Sequence, residues 1–124
     1  MVAGRSDETA VSNAIQLDLL GQPVRLLRNN VGGLKDRTGR FVAYGLGSSG
    51  GKVLRGPSDL IGWRSVTITP DMVGQTIAVF AAVEVKDKAQ PTPEQERFIA
   101  EVQQAGGLAG VARSVEDARR ILGL

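Results

Sequence analysis

The residues best suited to chemistry in this sequence are Glu84 and Lys86, which end an apolar run that begins at Ile77. Alternate side chains of an extended strand share a face, so Glu84 and Lys86 would project together, after Phe80 and Ala82 on the same face. A charged pair at this place is either a salt bridge that closes the end of a strand or part of a reaction centre.

A third candidate, Asp59, stands at the start of the preceding apolar strand, which the sequence predicts over residues 59–63. Two adjacent strands can bring Asp59 and Glu84 within a few ångströms of each other. Two carboxylates at such a short distance repel each other unless a cation lies between them. Asp59 therefore favours a metal-binding reaction centre over an isolated salt bridge.

The composition limits which chemistry such a centre can perform. Among 124 residues there is no cysteine and no histidine, which excludes thiolate nucleophiles, zinc–sulfur sites and imidazole bases. A metal must be held by oxygen atoms, which favours Mg²⁺ or Mn²⁺. Phosphodiester hydrolysis needs roughly 8–23 kcal/mol of barrier lowering. One donor such as Lys86, orienting water or stabilising phosphate charge, supplies about 3–4 kcal/mol, so a metal would supply the rest.

Two further polar residues lie on apolar faces of predicted helices. Glu8 shares the stripe of Val11 and Ile15, either as a third acidic ligand or as a favourable charge in the first helical turn. Gln95 shares a face with apolar residues of the second long helix, which makes it a candidate for the site. Thr92 with Gln95 three residues later is also a capping box, and the two roles are compatible.

The charge distribution indicates a polyanionic partner or a solvated basic face. The net charge is only +2, but residues 25–64 contain eight basic residues against two acids, a local charge of +6.

Residues 45–50 match GxGxxG, yet no helix is predicted after them, so we reject a dinucleotide site. A P-loop is excluded because Leu46 and Val53 replace its glycine and hydroxyl residue. We interpret this loop, with Lys52 and Arg55, as a clamp on an extended anion.

The predicted elements describe a single α/β domain over residues 1–124, with a central mixed sheet flanked by helices. We expect a helix over 7–20, strands over 24–28, 40–44, 59–63 and 76–86, a turn-rich stretch over 29–33, a flexible glycine loop over 45–51, a helix over 93–105 and a strand over 108–112. A last helix would run to residue 122, with Ser114 as its cap and Asp117 three residues later, as in a capping box. The third strand has a possible continuation to residue 68. The helix between the last two strands predicts a crossover. The longest apolar run, 77–83, is too short to span a bilayer, and residues 1–20 contain no signal core, so we expect an intracellular, cytoplasmic protein with no membrane partner.

Taken in order, these motifs resemble the PD-(D/E)xK nuclease superfamily and, more closely, the VRR-NUC family of virus-type replication-repair nucleases. The resemblance covers about residues 8–122. Its stretches are residues 28–32, 39–46, 58–62, 83–86, 92–98 and 106–112. Two departures stand out: Ser58 separates Pro57 from Asp59, and Val11-Ser12 stands where the family often has a glutamine after its first acidic residue.

The resemblance implies a restriction-endonuclease-like fold with the order α-β-β-β-α-β-α and a site for Mg²⁺ or Mn²⁺. Asp59, Glu84, Glu8 and the backbone carbonyl of Val85 would hold the metal. Lys86 would be the catalytic lysine and Gln95 would support the site.

The implied function is that of a phage-type, metal-dependent endonuclease selective for branched DNA, as in a Holliday-junction resolvase. Small members look like archaeal junction resolvases and are expected to act as homodimers, because two symmetric cuts need two symmetric sites. The alternatives are a flap or DNA-end-processing nuclease and a non-catalytic DNA-binding module of the same fold. The candidate DNA-binding residues are Arg28, Asn29, Lys35, Arg37, Arg40, Lys52, Arg55 and Lys88.

Overall fold

The computed structural model describes residues 3–29, 32–44, 48–49, 52–53 and 58–124. The chain divides into two compact units, residues 1–63 and residues 64–124. Within the described residues the strands form four two-stranded ladders. The mixture of helices and strands is therefore as expected, whereas the single central sheet and the extent of one nuclease domain over residues 1–124 stay predictions.

In the described part of the first unit, one helix precedes six strands. They are α1 (Ala3–Asp18), β1 (Val24–Arg28), β2 (Gly32–Lys35), β3 (Phe41–Tyr44), β4 (Ser48–Ser49), β5 (Lys52–Val53) and β6 (Leu60–Arg64). The ladders pair β1 with β6, β2 with β3 and β4 with β5. The boundaries of β1 and the existence of β3 and β6 agree with the sequence prediction.

Helix α1 begins at Ala3, earlier than expected, and Gly21 follows it with a positive φ of 83°. Glu8 therefore lies beyond the first helical turn, and the interpretation of its charge as a first-turn carboxylate is wrong. The expected apolar stripe is not a buried one, because Val11 and Ile15 are both exposed. The Gln16 side chain ties the helix to β1 by donating to the Leu26 carbonyl at 3.2 Å.

Two glycine-rich stretches predicted as turns or loops contain strands instead. Gly33 in β2 pairs with Ala43 in β3, and the Phe41 ring packs against Gly33, where a side chain would not fit. Ser48 and Ser49 pair antiparallel with Val53 and Lys52. Glycine and serine are weak strand formers, so local preference indicated turns, and cross-strand pairing decided otherwise. The rest of the predicted glycine loop, residues 45–47 and 50–51, lies outside the described residues.

Close backbone contact joins β1 to β6. The Asn29 N–H donates to the Asp59 carbonyl at 2.8 Å, and Gly62 lies against the backbone of Arg25 and Leu26. Since residue 29 meets residue 59 while residues 25 and 26 meet residue 62, the two strands run antiparallel. Any Cβ at Gly62 would collide with the Arg25 carbonyl, so glycine is required at this approach.

The second unit is the predicted crossover. Its elements are β7 (Ala81–Val85), α2 (Pro93–Gln104), β8 (Leu108–Ala112) and α3 (Val115–Leu122). Strands β7 and β8 are parallel, and α2 connects them, as parallel strands require. The buried apolar residues of the described chain, Val102, Ala109 and Ala112, all lie in this unit.

Both helices of the second unit begin at the caps that the sequence predicts. Thr92 and Gln95 form a reciprocal capping box at α2, with Pro93 in the first helical position. Ser114 caps α3 by accepting from the Asp117 N–H at 3.1 Å. The Asp117 carboxylate accepts from the Arg113 N–H rather than from Ser114, so this second cap is not a reciprocal box.

The long strand predicted over residues 76–86 is wrong in its first half. Residues 75–80 have no regular structure, and the strand begins at Ala81. The reason is the length of the partner: β8 offers five residues, which pair with residues 81–85 in register. The continuation of the preceding strand to residue 68 is also wrong, since β6 ends at Arg64.

Within the described residues, every helix falls short of the length and apolar character that a membrane span requires.

Candidate functional site

Strand β7 places Glu84 and Lys86 on one face at its carboxyl end. Glu84 pairs with Val111 of β8, and the Lys86 N–H donates to the Ala112 carbonyl at 3.1 Å. The hydrogen bonding between the two strands therefore reaches Lys86, the residue that follows β7. This is the side-by-side projection that the alternating pattern predicts.

Glu84 and Lys86 are close without forming a hydrogen bond. The Lys86 Nζ lies 3.9 Å from the Glu84 Oε2, beyond hydrogen-bonding distance. The side chains are largely withdrawn from solvent, with 19% of Lys86 and 30% of Glu84 exposed. A tight salt bridge would saturate both charges, whereas this separation leaves the carboxylate oxygens and the ammonium able to bind a third group.

Helix α2 faces these charges across a cleft of about 380 Å³. A water molecule occupies roughly 30 Å³, so the cleft has room for a phosphate group and several waters. Its lining combines the polar residues Glu84, Glu94 and Gln95 with the apolar residues Ala82, Val83, Phe98 and Ile99. The cleft therefore brings two of the predicted site residues, Glu84 and Gln95, into one pocket.

The capping box determines which end of the Gln95 amide is available. Gln95 Oε1 accepts from the Thr92 N–H at 2.9 Å, while the Gln95 N–H donates to Thr92 Oγ1 at 3.2 Å. The oxygen of the side-chain amide is thereby engaged, and its NH₂ group is the end left to interact at the cleft. In this arrangement the Gln95 side chain presents a hydrogen-bond donor whose amide oxygen is already engaged by the helix cap.

Arg113 holds the chain where it leaves β7, and the sequence analysis did not identify it. Its Nη1 donates to the Asp87 carbonyl at 3.0 Å, one residue after Lys86. The acceptor is a backbone atom 26 positions away, so no local spacing could have revealed the contact. Glu94 was missed as well, although its place next to Gln95 at the start of α2 was a usable signal.

Asp59 lies in the first unit, immediately before β6. Its side chain is exposed, and no hydrogen bond or ion pair of its carboxylate occurs within the described residues. Its backbone is held firmly, because its carbonyl accepts from the Asn29 N–H. Glu8 is exposed on α1 in the same unit. The meeting of Asp59 and Glu8 with Glu84, which would complete the predicted metal site, stays a prediction.

The donor chemistry fits a hard divalent cation. The candidate ligands are carboxylate oxygens, and Glu84 has no hydrogen bond within the described part of the chain that would compete for them. Over the same residues no three acidic side chains form a group able to hold a metal ion. Val85 exposes 74% of its surface at the end of β7, and the role of its carbonyl stays a prediction.

The predicted DNA-binding residues are mostly exposed cations. Arg28, Lys35, Arg37, Arg40 and Lys88 are exposed, whereas Asn29 is half-buried. The Lys52 side chain and the whole of Arg55 lie outside the described residues.

The turn between β2 and β3 carries Lys35, Arg37 and Arg40, and Asp36 shapes it. The Asp36 carboxylate accepts from the Thr38 hydroxyl and from the N–H groups of Thr38 and Arg40. These bonds, that of the Thr38 hydroxyl first, hold the pKa of Asp36 below its usual range. The acid is thus engaged inside the turn, and the three cations project from it.

Comparison with known proteins identifies a family for this chain. The model of the family described as the VRR-NUC domain matches residues 46–116, which is more than half of the chain. The match includes Asp59, Glu84, Lys86 and Gln95, and it excludes Glu8. Searches of curated proteins and of solved structures found no match.

Proposed function

Because the chain belongs to the VRR-NUC family of virus-type replication-repair nucleases, we propose that it is a Mg²⁺- or Mn²⁺-dependent endonuclease that cuts branched DNA. The favoured substrate is the four-way Holliday junction. The observation that carries the proposal is the cleft between β7 and α2, which Glu84 and Gln95 line together inside the matched region, with the Lys86 ammonium 3.9 Å from the Glu84 carboxylate. A charged pair in a cleft with a matched nuclease motif is better explained by catalysis than by stability, since surface ion pairs contribute little.

Asp59, Glu84, Glu8 and the Val85 carbonyl would hold the metal, whose chemistry when bound is to polarise a phosphate and lower the pKa of water. Carboxylates are the ligands such a cation prefers. Glu84 contributes an acidic group whose oxygens are unengaged by Lys86 at 3.9 Å.

Lys86 would stabilise the charge that develops on the phosphate oxygens and orient the attacking water. Its side chain is 19% exposed, so competition from bulk water is reduced and its interactions strengthen. The NH₂ group of Gln95, whose direction the capping box sets, would donate to a second phosphate oxygen across the cleft. The apolar wall formed by Phe98 and Ile99 excludes water from that side.

The basic residues of segment 25–64, with Lys88, would bind phosphates without reading base sequence. Three of them, Lys35, Arg37 and Arg40, project from the ordered turn between β2 and β3. A homodimer accounts for paired cuts at a junction, because a two-fold axis places two equal sites on two equivalent strands.

Cleavage of labelled DNA tests the proposal directly. The full chain is incubated with a four-way junction, a 5′ flap and a linear duplex of equal length, with and without Mn²⁺. We expect metal-dependent paired incision of the junction and little cutting of the duplex. If the flap is cut in preference to the four-way junction, the substrate is a flap and not the junction.

Glu84→Gln separates an enzyme from a non-catalytic DNA-binding module. The variant should bind the junction normally and lose incision, while Glu116→Gln, an exposed acid on α3, should behave as the wild type. If neither the wild type nor the Glu116→Gln variant cuts any of the three DNAs in Mn²⁺, and calorimetry detects no Mn²⁺ binding, the chain is a DNA-binding module.

A further inference from the structure

The half-buried Asn29 makes two hydrogen bonds to the backbone on either side of Asp59. Its side-chain Nδ2 donates to the Ser58 carbonyl at 3.0 Å, and its backbone N–H donates to the Asp59 carbonyl at 2.8 Å. We infer that Asn29 is a positioning residue that directs the Asp59 carboxylate. This inference rests on the proposed function, in which Asp59 is a metal ligand.

The geometry of the peptide bond explains how one residue can do this. The Ser58 carbonyl belongs to the planar peptide that enters Asp59, and the Asp59 carbonyl belongs to the planar peptide that leaves it. The planes on both sides of a Cα determine its two backbone dihedrals, and these determine the direction of the Cα–Cβ bond. By holding both planes, Asn29 sets the direction in which the Asp59 side chain leaves the backbone.

The surroundings of Asp59 explain why its carboxylate would need a residue that orients it. It stands before β6, its side chain is exposed, and its carboxylate makes no hydrogen bond within the described residues that would orient it. It also follows Ser58, the residue that separates it from Pro57, so the rigid proline does not directly precede it. The Asn29 side chain contacts the carbonyl of that same intervening residue.

The prediction that Asn29 contacts DNA leads to different consequences. A contact with phosphate would contribute to DNA affinity whether or not metal is present. A positioning role would contribute to metal affinity and to the catalytic rate, and it would leave metal-free DNA binding unchanged. Polar groups that orient a metal ligand are commonly worth about 10- to 100-fold in metal affinity or activity.

The variants Asn29→Asp and Asn29→Ala remove the side-chain donor. Asn29→Asp keeps the size of the side chain and presents an oxygen to the Ser58 carbonyl, while the backbone bond from residue 29 to Asp59 is retained. Arg28→Gln, the adjacent exposed residue on β1, is the matched control, because it removes a predicted phosphate contact. Asp59→Asn measures the full contribution of the carboxylate.

Mn²⁺ titration of the full chain by calorimetry, without DNA, is the primary measurement. We expect Asp59→Asn to lose most Mn²⁺ affinity and both Asn29 variants to lose about 10-fold or more. Junction affinity in a chelator should stay within twofold of the wild type for Asn29→Ala, which leaves the charge unchanged, and should fall for Arg28→Gln. In Mn²⁺, Asn29→Asp should lower kcat and leave KM unchanged.

Two results overturn the inference and are distinguishable. If Asp59→Asn weakens Mn²⁺ binding while both Asn29 variants bind Mn²⁺ and cut as the wild type does, Asn29 has no positioning role and the proposed function stands. If Asp59→Asn itself leaves Mn²⁺ affinity and cleavage unchanged, the assigned role of Asp59 fails, and the inference fails with it. Loss of metal-free DNA affinity with unchanged Mn²⁺ affinity in Asn29→Ala would assign Asn29 to DNA contact instead.

Discussion

The two units of the chain present their charged residues in opposite ways. In residues 64–124, the side chains of Glu84 and Lys86 are partly withdrawn from solvent, and Glu84 lines a cleft beside a helix whose cap also engages the Gln95 amide. In residues 1–63, Asp59 is exposed, and the cations Arg37 and Arg40 project from a turn. Catalysis at a phosphate benefits from partly withdrawn charges, because charge interactions strengthen where water is excluded. Binding of DNA phosphates instead needs exposed cations.

The two units also differ in how their elements are held. The second unit contains the buried residues Val102, Ala109 and Ala112 around a parallel pair. In the first unit, apolar side chains such as Leu34 and Phe41 are exposed, and strand contacts are made backbone to backbone. A substitution at Lys86 should therefore act on activity, and a substitution at Gly62 should act on the pairing of the backbone.

Lys86→Ala should have the largest effect. We expect the cleavage rate at saturating junction to fall about 100- to 1,000-fold, because a donor aimed at developing charge is lost. Junction affinity measured in a chelator should change little. Lys88→Ala, an exposed lysine two residues later, should lose less than Lys86→Ala and mainly in affinity. A Lys86→Ala enzyme that cuts at a normal rate would remove the cleft from the mechanism.

Gly62→Ala tests the backbone contact of the first unit. Its new methyl group would collide with the Arg25 carbonyl, and the strands cannot separate without losing their pairing. We expect a loss of about 1–3 kcal/mol in the free energy of unfolding, measured by urea denaturation. Gly110→Ala in the second unit is the matched control: its methyl would lie 2.9 Å from both Cδ1 and Cγ1 of Ile121, which are side-chain atoms and not backbone. Equal losses in both variants would contradict the contrast between the units.

Gln95→Glu separates the helix cap from the donor at the cleft. Glutamate also forms a capping box, so stability should be retained, while the NH₂ donor is lost and cleavage should fall. Gln95→Ala should lose the cleavage and also about 1 kcal/mol of stability. Thermal unfolding and single-turnover cleavage of the two variants provide the comparison. Full activity of Gln95→Glu would show that Gln95 is only a cap.

Arg37→Gln tests the cations of the first unit. If about five basic residues contact phosphate, the logarithm of junction affinity should fall with the logarithm of salt concentration with a slope of roughly −4 to −5. Arg37→Gln should make the slope less steep by about 0.9, whereas Arg119→Gln, an exposed arginine on α3, should leave it unchanged. A slope near zero for the wild type would exclude the basic segment as the DNA-binding surface.

Asp117 should produce the smallest effect, a pH dependence of stability in the second unit. The Arg113 N–H and then the Arg120 side chain hold the pKa of the Asp117 carboxyl below its usual value near 3.8. A carboxyl whose pKa is lowered in the folded state stabilises the fold at pH values above its usual pKa. This contribution to stability is lost as the pH falls through the pKa of the folded state. The difference in Tm between wild type and Asp117→Asn should therefore shrink below pH 4. Glu116→Gln removes one negative charge from the same helix and is the matched control for Asp117→Asn.

Local patterns predicted the second unit well. The crossover, the caps at Thr92 and Ser114, and the shared face of Glu84 and Lys86 all follow from spacing within a few residues. The strand over residues 76–86 was predicted too long, since apolar character extends further than the partner strand β8 does. Strand length depends on a partner, which spacing within one segment does not reveal.

The sequence by itself determined the available chemistry: oxygen ligands, one lysine two residues after an acid, and a basic segment, because residue type and short spacing are sufficient for these. Only the tertiary structure decided that Asn29 donates hydrogen bonds to the peptides on both sides of Asp59 and that Arg113 donates to the Asp87 carbonyl. The same is true of the requirement that residue 62 lack a side chain. Each of these contacts joins backbone atoms to residues 26 to 37 positions away. Every residue presents the same backbone groups, so no sequence pattern marks such an acceptor before the chain has folded.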